Sequence, residues 1–245
     1  MRILFIFTFA FCWASAYESY ASYEVSYSFF TLGEAEAYLK KDENGTYESS
    51  IYAKATGFAG VMSGHREERY KSAGRVVKGM LVPEQFESRT KSDKKSRYFG
   101  VFFDLENDNA TAFKENCHEE RCTYESFVLS DENYTTQDIL TLYHNLTAMF
   151  VASGEKRIET RAVGSKKPVV IEIPEGKKLK TANELLKKEK GTYLLALLNQ
   201  EIFTSDVGEL YVNLDEDNIV KYAVLKDTFL FGDVRGKLIK KKITP

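Results

Sequence analysis

Large side chains alternate with polar ones along much of this chain, and that period of two limits the fold more than any other feature. In residues 23–29, Tyr, Val, Tyr and Phe occupy every second position, with Glu and Ser between them. Successive side chains of a β-strand point to opposite faces, so the pattern predicts a half-buried strand. Further strands are predicted at 34–40 and 47–55, and the Asn44-Gly45 pair between them is typical of a tight hairpin turn.

The composition favours a mainly β (α+β) fold. The 245 residues include 17 Phe and 15 Tyr, whose flat side chains pack well on a pleated surface. In one aromatic run, Tyr98 and Phe102 fall on one face of a predicted strand, and Phe99, Val101 and Phe103 fall on the other. A strand that is apolar on both faces is either central in a sandwich or lines a cavity while its back packs on a helix.

One main helix is predicted at residues 135–150, because apolar residues recur there at spacings of three and four. A threonine just before the stripe is expected to cap this helix, and Gly154 is expected to end it. His144 lies away from the centre of the apolar stripe, so we expect it at the surface. A second, short helix is predicted at 181–190, and the glycines between residues 57 and 79 are interpreted as strand ends and bends.

Residues 1–16 have the pattern of a cleaved export signal. A positive residue opens the segment, eleven uncharged apolar residues follow, and Ala14-Ser15-Ala16 suits a cut before Tyr17. The alternative is a membrane anchor, but a spanning helix needs roughly 20 apolar residues. No later apolar run approaches that length. We therefore expect an exported mature chain, residues 17–245, without a transmembrane segment.

The mature chain is long enough for one large β domain or for two smaller lobes. We expect a single domain over 17–245, with the alternative of two sub-lobes joined near the helix at 135–150. The formal net charge of −2 gives no basic surface of the kind that nucleic acids need. No nucleic-acid partner is expected.

Cys117 and Cys122 are the two cysteines of the expected mature chain, and their close spacing predicts a disulfide that closes a hairpin tip. Two alternatives remain at this point. The cysteines could be free thiols, or they could bind a metal with the intervening His118. A closed zinc site needs four ligands, and few histidines are available to complete it, so neither a metal nor a cofactor is expected.

Two of the Asn-x-Ser/Thr sites, at Asn44 and Asn133, have an acidic residue two positions earlier. This longer form resembles the acceptor of bacterial periplasmic N-glycosylation. Both asparagines lie in polar, turn-like segments where an attached sugar would be solvated. The alternative is a pair of ordinary surface turns.

No catalytic motif is present. The chain has three histidines and lacks a G-x-S-x-G turn, an H-E-x-x-H helix and a phosphate-binding loop. His65, Glu67 and Arg69 form the densest polar group, which we interpret as a row of solvent-facing ion pairs. The protein is therefore not expected to be an enzyme.

Several segments, in their order, resemble a bacterial envelope family known as domain-of-unknown-function family 3108. They are YEVSYSFFTLGEAEAYL near the start, KSAGRVVKGMLVPEQFESR in the middle, DILTLYHNL on the predicted helix, and VGELYVNLDEDNIVKYAVL before a final strand. The resemblance implies a periplasmic location and a strongly curved antiparallel sheet or half-barrel wrapped around one main helix, similar to lipoprotein-carrier folds. The family has no established activity.

A curved sheet around a helix leaves a concave apolar face, and such faces bind apolar ligands without catalytic groups. We therefore expect a carrier or binding protein for a lipid or acyl chain. Its candidate lining residues are Tyr27, Phe29, Phe99, Val101 and Phe103. The alternative is a structural or interaction protein of the envelope that has an envelope protein partner and fills its sheet with its own side chains.

Overall fold

The alternating segments form one antiparallel sheet in the computed structural model, which describes residues 16–129, 134–163, 168–198, 208–228 and 232–245. The predicted mainly β class is confirmed. The strands are β1 Tyr17–Tyr27, β2 Phe30–Lys41, β3 Thr46–Ala55, β4 Glu67–Val77, β5 Met80–Lys91, β6 Lys95–Asp104, β7 Asn109–His118, β8 Arg121–Leu129, β9 Arg157–Thr160, β10 Val169–Glu172, β11 Thr192–Leu198, β12 Gly208–Leu214, β13 Val220–Thr228 and β14 Gly232–Thr244. The helices are α1 Gly57–Ser63, α2 Ile139–Ser153 and α3 Gly176–Leu185.

The strand order places the first and last strands side by side. The 14 strands run β8-β7-β6-β5-β4-β3-β2-β1-β14-β13-β12-β11-β10-β9, so β8 and β9 are the two edges of an open sheet. β1 pairs with β2 on one side and with β14 on the other. The N-terminal half of the chain therefore forms one half of the sheet, and the C-terminal half forms the other.

The register defines the face that we call the inner face. Ser19 of β1 pairs with Leu39, Leu39 with Ser49, and Ser49 with Ser72. The same row continues through Phe86 to Val101, then to Ala112 and Phe127. Directly paired residues share a face, so this row lies on one side of eight strands. Helix α2 packs on that side.

Helix α2 lies in the chain between β8 and β9, the two edge strands. Its N-cap is Asp138, whose side chain accepts hydrogen bonds from the backbone N–H groups of Leu140 and Thr141. It ends at Gly154, which has a φ of 66° and is favoured at a left-handed cap. The predicted helix is confirmed in position, but it begins a few residues later than expected because Asp138, and not a threonine, satisfies the free N–H groups of the first turn.

Helix α2 packs into both halves of the sheet. Leu140 belongs to a core cluster with Phe86 and Val101. Leu142 and Leu146 belong to a second cluster, with residues of β10, β11 and β12. One helix therefore contributes to the core of both halves.

Helix α3 covers the opposite face of the C-terminal half. Ala182 and Leu186 pack against Leu195, Tyr211 and Val224. The helix predicted at 181–190 exists but begins and ends earlier, at Gly176–Leu185.

Helix α1 was not predicted. It occupies a stretch that we interpreted as strand ends and bends, and glycines stand at both of its ends: Gly57 with a φ of 55° and Gly64 with a φ of 67°. The glycine signal is correct for these two positions, but seven residues are too few to show a helical period.

The predicted disulfide between Cys117 and Cys122 is present. It joins the ends of β7 and β8 at the tip of their hairpin, where the two cysteines are directly paired across the strands. Among the described residues, no helix has the length and apolar character to cross a membrane.

Candidate functional site

The five predicted lining residues do not lie together. Phe99, Val101 and Phe103 share the inner face, where Val101 has no exposed surface and the two phenylalanines pack against the same core cluster. Phe29 lies in the turn between β1 and β2 and is 83% exposed. The ring of Tyr27 lies close against Gly232 of β14. In this structure, therefore, Val101 has no surface to offer a ligand.

Helix α2 covers one end of the inner face. Its contacts reach Ser49 of β3, Ser72 of β4, Leu81 of β5 and Asn218 in the turn between β12 and β13. We call this side the α2 end. The opposite side, where the β1–β2 turn lies and α1 follows β3, is called the open end.

A buried hydrogen-bond chain fixes the start of α2. Ser72 Oγ donates to Asp138 Oδ2 at 2.6 Å, and the Tyr47 hydroxyl donates to Ser72 Oγ at 2.8 Å. Asp138 has no exposed surface, and this burial raises the pKa of its carboxyl group despite the hydrogen bonds it accepts. No local sequence pattern predicts this hydrogen-bond chain, because its members lie on three separate elements.

His144 is not a surface residue as predicted. Its Nε2 lies 3.0 Å from Ser49 Oγ, on the inner face. Burial, together with the positive charge of Lys41, lowers the pKa of the imidazole to about 4. The prediction was wrong because the inner face of the sheet contacts a wider part of the α2 surface than the apolar stripe alone indicated.

The Ser49–His144 pair does not have the properties of a catalytic dyad. A general base works best when its pKa is near the ambient pH, and this imidazole is too weak a base. Ser49 is buried, and no described carboxylate accepts a hydrogen bond from His144. The pair positions α2 on the sheet.

Asn145 adds a two-sided contact beside this pair. Its Oδ1 accepts a hydrogen bond from the Leu81 backbone N–H, and its Nδ2 donates to the Leu81 carbonyl, both at 2.8 Å. Tyr143 of α2 contacts the β12–β13 turn, where its hydroxyl donates a hydrogen bond to the Asn218 carbonyl at 2.8 Å. These polar contacts hold α2 against both halves of the sheet.

Beyond α2, small side chains line the inner face, and apart from Ala21 and Gly33, which are buried, they keep partial exposure. Alanines and glycines occupy neighbouring inner-face positions on β1, β2, β3, β13 and β14: Ala21, Gly33, Ala35, Ala37, Ala53, Ala223 and Gly236. Four of these alanines keep partial exposure in the middle of the sheet. A Cβ added at Gly236 would meet no described atom nearer than the Ala223 Cβ, at 3.9 Å. Space therefore remains above this patch, which we call the alanine floor.

Charge separates the two faces of β1, β2 and β3 at the alanine floor, whereas on β14 Lys241 is directly paired with Ala21 and forms ion pairs with Asp215 and Asp217. On β1, β2 and β3, the inner positions carry one charged residue, Lys41, at the α2 end. The outer positions of the same strands carry seven: Glu18, Glu24, Glu34, Glu36, Lys40, Glu48 and Lys54. The inner face there is suited to an apolar molecule, and the outer face to water.

The remaining predicted site residues lie elsewhere. Asn44 is exposed in the β2–β3 turn, where its Oδ1 accepts a hydrogen bond from Thr46 Oγ1 at 2.7 Å; a sugar at this position stays a prediction. Asn133 and residues 1–15 lie outside the described residues. His65 Nδ1 is 3.2 Å from Asp93, at the surface.

Two further groups of residues have site-like features but do not suit a metal or an apolar ligand. Glu115 lies beside the sulfurs of Cys117 and Cys122, but bonded sulfurs are not thiolates, so this group offers a metal one carboxylate. A depression on the outer face is lined by polar and charged residues, Lys71 and Glu87 among them, and does not suit an apolar ligand.

The comparisons with known proteins give a family resemblance over part of the chain and no activity. A solved structure described as a beta-barrel-like protein of domain of unknown function DUF1849, from Brucella abortus, is similar over 94% of this chain and 98% of that chain. Its identity is 8% and its TM-score 0.45, which supports no argument about this chain. No curated protein matches. The model of a protein family of unknown function, DUF3108, matches residues 22–141, so the resemblance seen in the sequence is confirmed over that part of the chain.

Proposed function

We propose that this protein is an exported, non-catalytic protein of the bacterial periplasm that binds or carries an apolar ligand, a lipid or acyl chain, on the alanine floor. The sheet is then curved around α2, which closes one end of the hollow. The partly exposed small side chains of the inner face carry this proposal. Apolar surface that is left beside open space inside a fold is what an acyl chain can cover.

The chemistry of the surrounding face favours an unbranched apolar ligand. The floor offers methyl groups and backbone, with Val25 and Tyr23 on the same face of β1, and no charged side chain reaches it from β1, β2 or β3 apart from Lys41 at the α2 end. At that end the positive charge of Lys41 would attract a carboxylate or phosphate head group, and the acidic residues Asp215 and Asp217 are paired with Lys241. Residues 1–16, with their export pattern, support the location.

The decisive experiment fills the open space. Gly236→Leu places a side chain above the floor, where a Cβ meets no close neighbour. We expect the variant to fold and to bind a fluorescent long-chain fatty acid at least about tenfold more weakly than the wild-type protein, since the ligand and the leucine compete for one volume. Fluorescence titration measures the affinity, and circular dichroism checks the fold.

Ala73→Leu is the matched control. It adds similar bulk on the outer face of β4 and should leave the affinity unchanged. If the wild-type protein binds no fatty acid, or if both variants bind as the wild type does, the carrier proposal fails. The alternative of a structural or interaction protein would then be favoured, since Phe99, Val101 and Phe103 already pack into the core.

A further inference from the structure

Five large apolar side chains are exposed together at the open end of the sheet. Phe29 and Phe30 lie at the β1–β2 turn, 83% and 57% exposed, with their ring centroids 4.2 Å apart. Phe58, Val61 and Met62 lie on α1 and are 78%, 66% and 71% exposed. The backbone N–H of Thr56, just before α1, donates to the carbonyl of Leu32 on β2, which ties the two groups together. We call these five residues the apolar tip.

The chain around the apolar tip has no charge. Residues 25–33 and 55–64 contain no Asp, Glu, Lys or Arg, although such residues make up 29% of the chain. Exposed apolar groups on a soluble protein are normally scattered singly among charges. A concentrated, uncharged group of this size is typical of a surface that meets an apolar partner.

Lysines stand beside the apolar tip at the same end of the sheet. Lys91, Lys94 and Lys95 are exposed at the β5–β6 turn, and no described acidic side chain forms an ion pair with any of them. This turn is attached to α1, because the Asp93 backbone N–H donates to the Gly64 carbonyl at 2.8 Å. We call the three residues the lysine flank. It is bounded by Glu119 and Glu120 in the next turn.

We propose that the apolar tip and the lysine flank dock this protein on an anionic lipid bilayer. The tip would enter the boundary between head groups and acyl chains, and the lysines would be attracted to the anionic head groups. The inference rests on the proposed function and extends it, since the tip lies at the open end of the hollow. A ligand could then pass between the bilayer and the alanine floor without crossing the charged outer face.

The shape and charge of this surface favour a bilayer over a protein partner. The apolar residues project from a turn and a short helix, and do not line a groove that a peptide or a second copy would fill. Within the adjoining β5–β6 turn, three lysines outnumber one acidic residue, Asp93, which pairs with His65; the net positive charge of this turn suits an anionic lipid surface. Both features suit a flat, fluid and negatively charged surface.

Vesicle flotation tests the docking surface. We expect the wild-type protein to float with vesicles of phosphatidylethanolamine and phosphatidylglycerol, and much less with phosphatidylcholine vesicles. Phe58→Ser with Met62→Ser should lower the bound fraction about tenfold, because two side chains lose their transfer into the acyl region. Lys94→Glu with Lys95→Glu should lower binding to the anionic vesicles, and added salt should do the same to the wild-type protein.

Two controls test the position of the surface. Phe102→Ser removes an exposed aromatic side chain from the outer face, and Lys237→Glu with Lys240→Glu reverses two exposed charges on β14. Both should leave flotation unchanged. If the β14 variant abolishes flotation while the tip variant does not, or if the wild-type protein ignores anionic vesicles, the docking proposal is overturned.

The docking and carrier proposals fail separately. The tip variant should keep the wild-type affinity for dispersed fatty acid, and Gly236→Leu should keep the wild-type flotation. Fatty-acid binding without flotation would overturn docking alone. Flotation without fatty-acid binding would overturn the carrier function and leave a membrane-bound protein.

Discussion

The imidazole of His144 lies on the inner face beside Ser49 and within reach of the positive charge of Lys41, and its pKa is lowered to about 4. The same group in the unfolded chain titrates at its ordinary value of about 6.5. Between these two values the unfolded chain binds more protons than the folded one. The free energy of unfolding must therefore fall as the pH falls through this window.

His144→Gln tests this linkage. Glutamine can still hydrogen-bond to Ser49 but does not titrate. Between pH ~6.5 and ~4 we therefore expect the free energy of unfolding of the variant to fall less than that of the wild type, by up to about 3 kcal/mol. Denaturant unfolding at several pH values measures it. A His144→Gln profile as steep as that of the wild type would contradict the assigned environment.

Asp138 acts in the opposite direction. Burial raises the pKa of its carboxyl group above the ordinary value, so this group favours the folded state less as the pH rises through that range. Its hydrogen bonds from Ser72, Leu140 and Thr141 offset part of that cost and fix the first turn of α2. Both titrating groups serve the position of α2, and neither is placed to transfer a proton to a ligand on the alanine floor.

At the scale of single elements, the Cys117–Cys122 disulfide closes the β7–β8 hairpin at its tip. β8 is an edge strand, so it has one strand neighbour, and most of its residues are exposed. The disulfide joins the two strands where the sheet offers least support. The bridge should therefore stabilise this hairpin more than the rest of the fold.

Removing the bridge with Cys117→Ser and Cys122→Ser should cost about 2 kcal/mol, as expected for closing so short a loop. Hydrogen exchange should rise first in β7 and β8 and remain slow in β1 and β14 at the sheet centre. The reduced wild-type protein should behave as the double variant does. A uniform rise across all strands would show that the disulfide supports the whole sheet.

At the scale of the whole molecule, α2 joins two halves that the chain builds separately. Leu140 packs with β5 to β8, and Leu142, two residues later, packs with β10 to β12. The β1–β14 pairing joins the halves at the centre of the sheet. A single cooperative unit is therefore expected, in preference to two sub-lobes.

Leu140→Ala and Leu142→Ala test this cooperativity. Each removes a buried side chain and should cost about 3 kcal/mol. Because α2 belongs to both cores, either variant should shift one common unfolding transition, seen alike by fluorescence and by circular dichroism. Ile139→Ala, on an exposed position of the same helix, should change little. Two transitions, with each variant lowering a different one, would show two independent lobes.

The sequence alone determined the features that are encoded over a few neighbouring residues. The period of two in β1, the pairing of Cys117 with Cys122, and the existence of α2 all follow from local patterns. The sequence also shows alanines at 35, 37 and 53, but it does not show whether other side chains cover them. Alanine at alternate positions is compatible with a filled face or an empty one, and local pattern does not say which.

Only the tertiary structure decided what lies opposite each strand. The pairing of β1 with β14, the choice of face that α2 covers, and the burial of His144 and Asp138 join residues far apart in the chain. Such contacts arise from the balance of packing over the whole sheet, and no short pattern specifies them. The same balance leaves Val101 sealed in the core and leaves the space above Gly236 open.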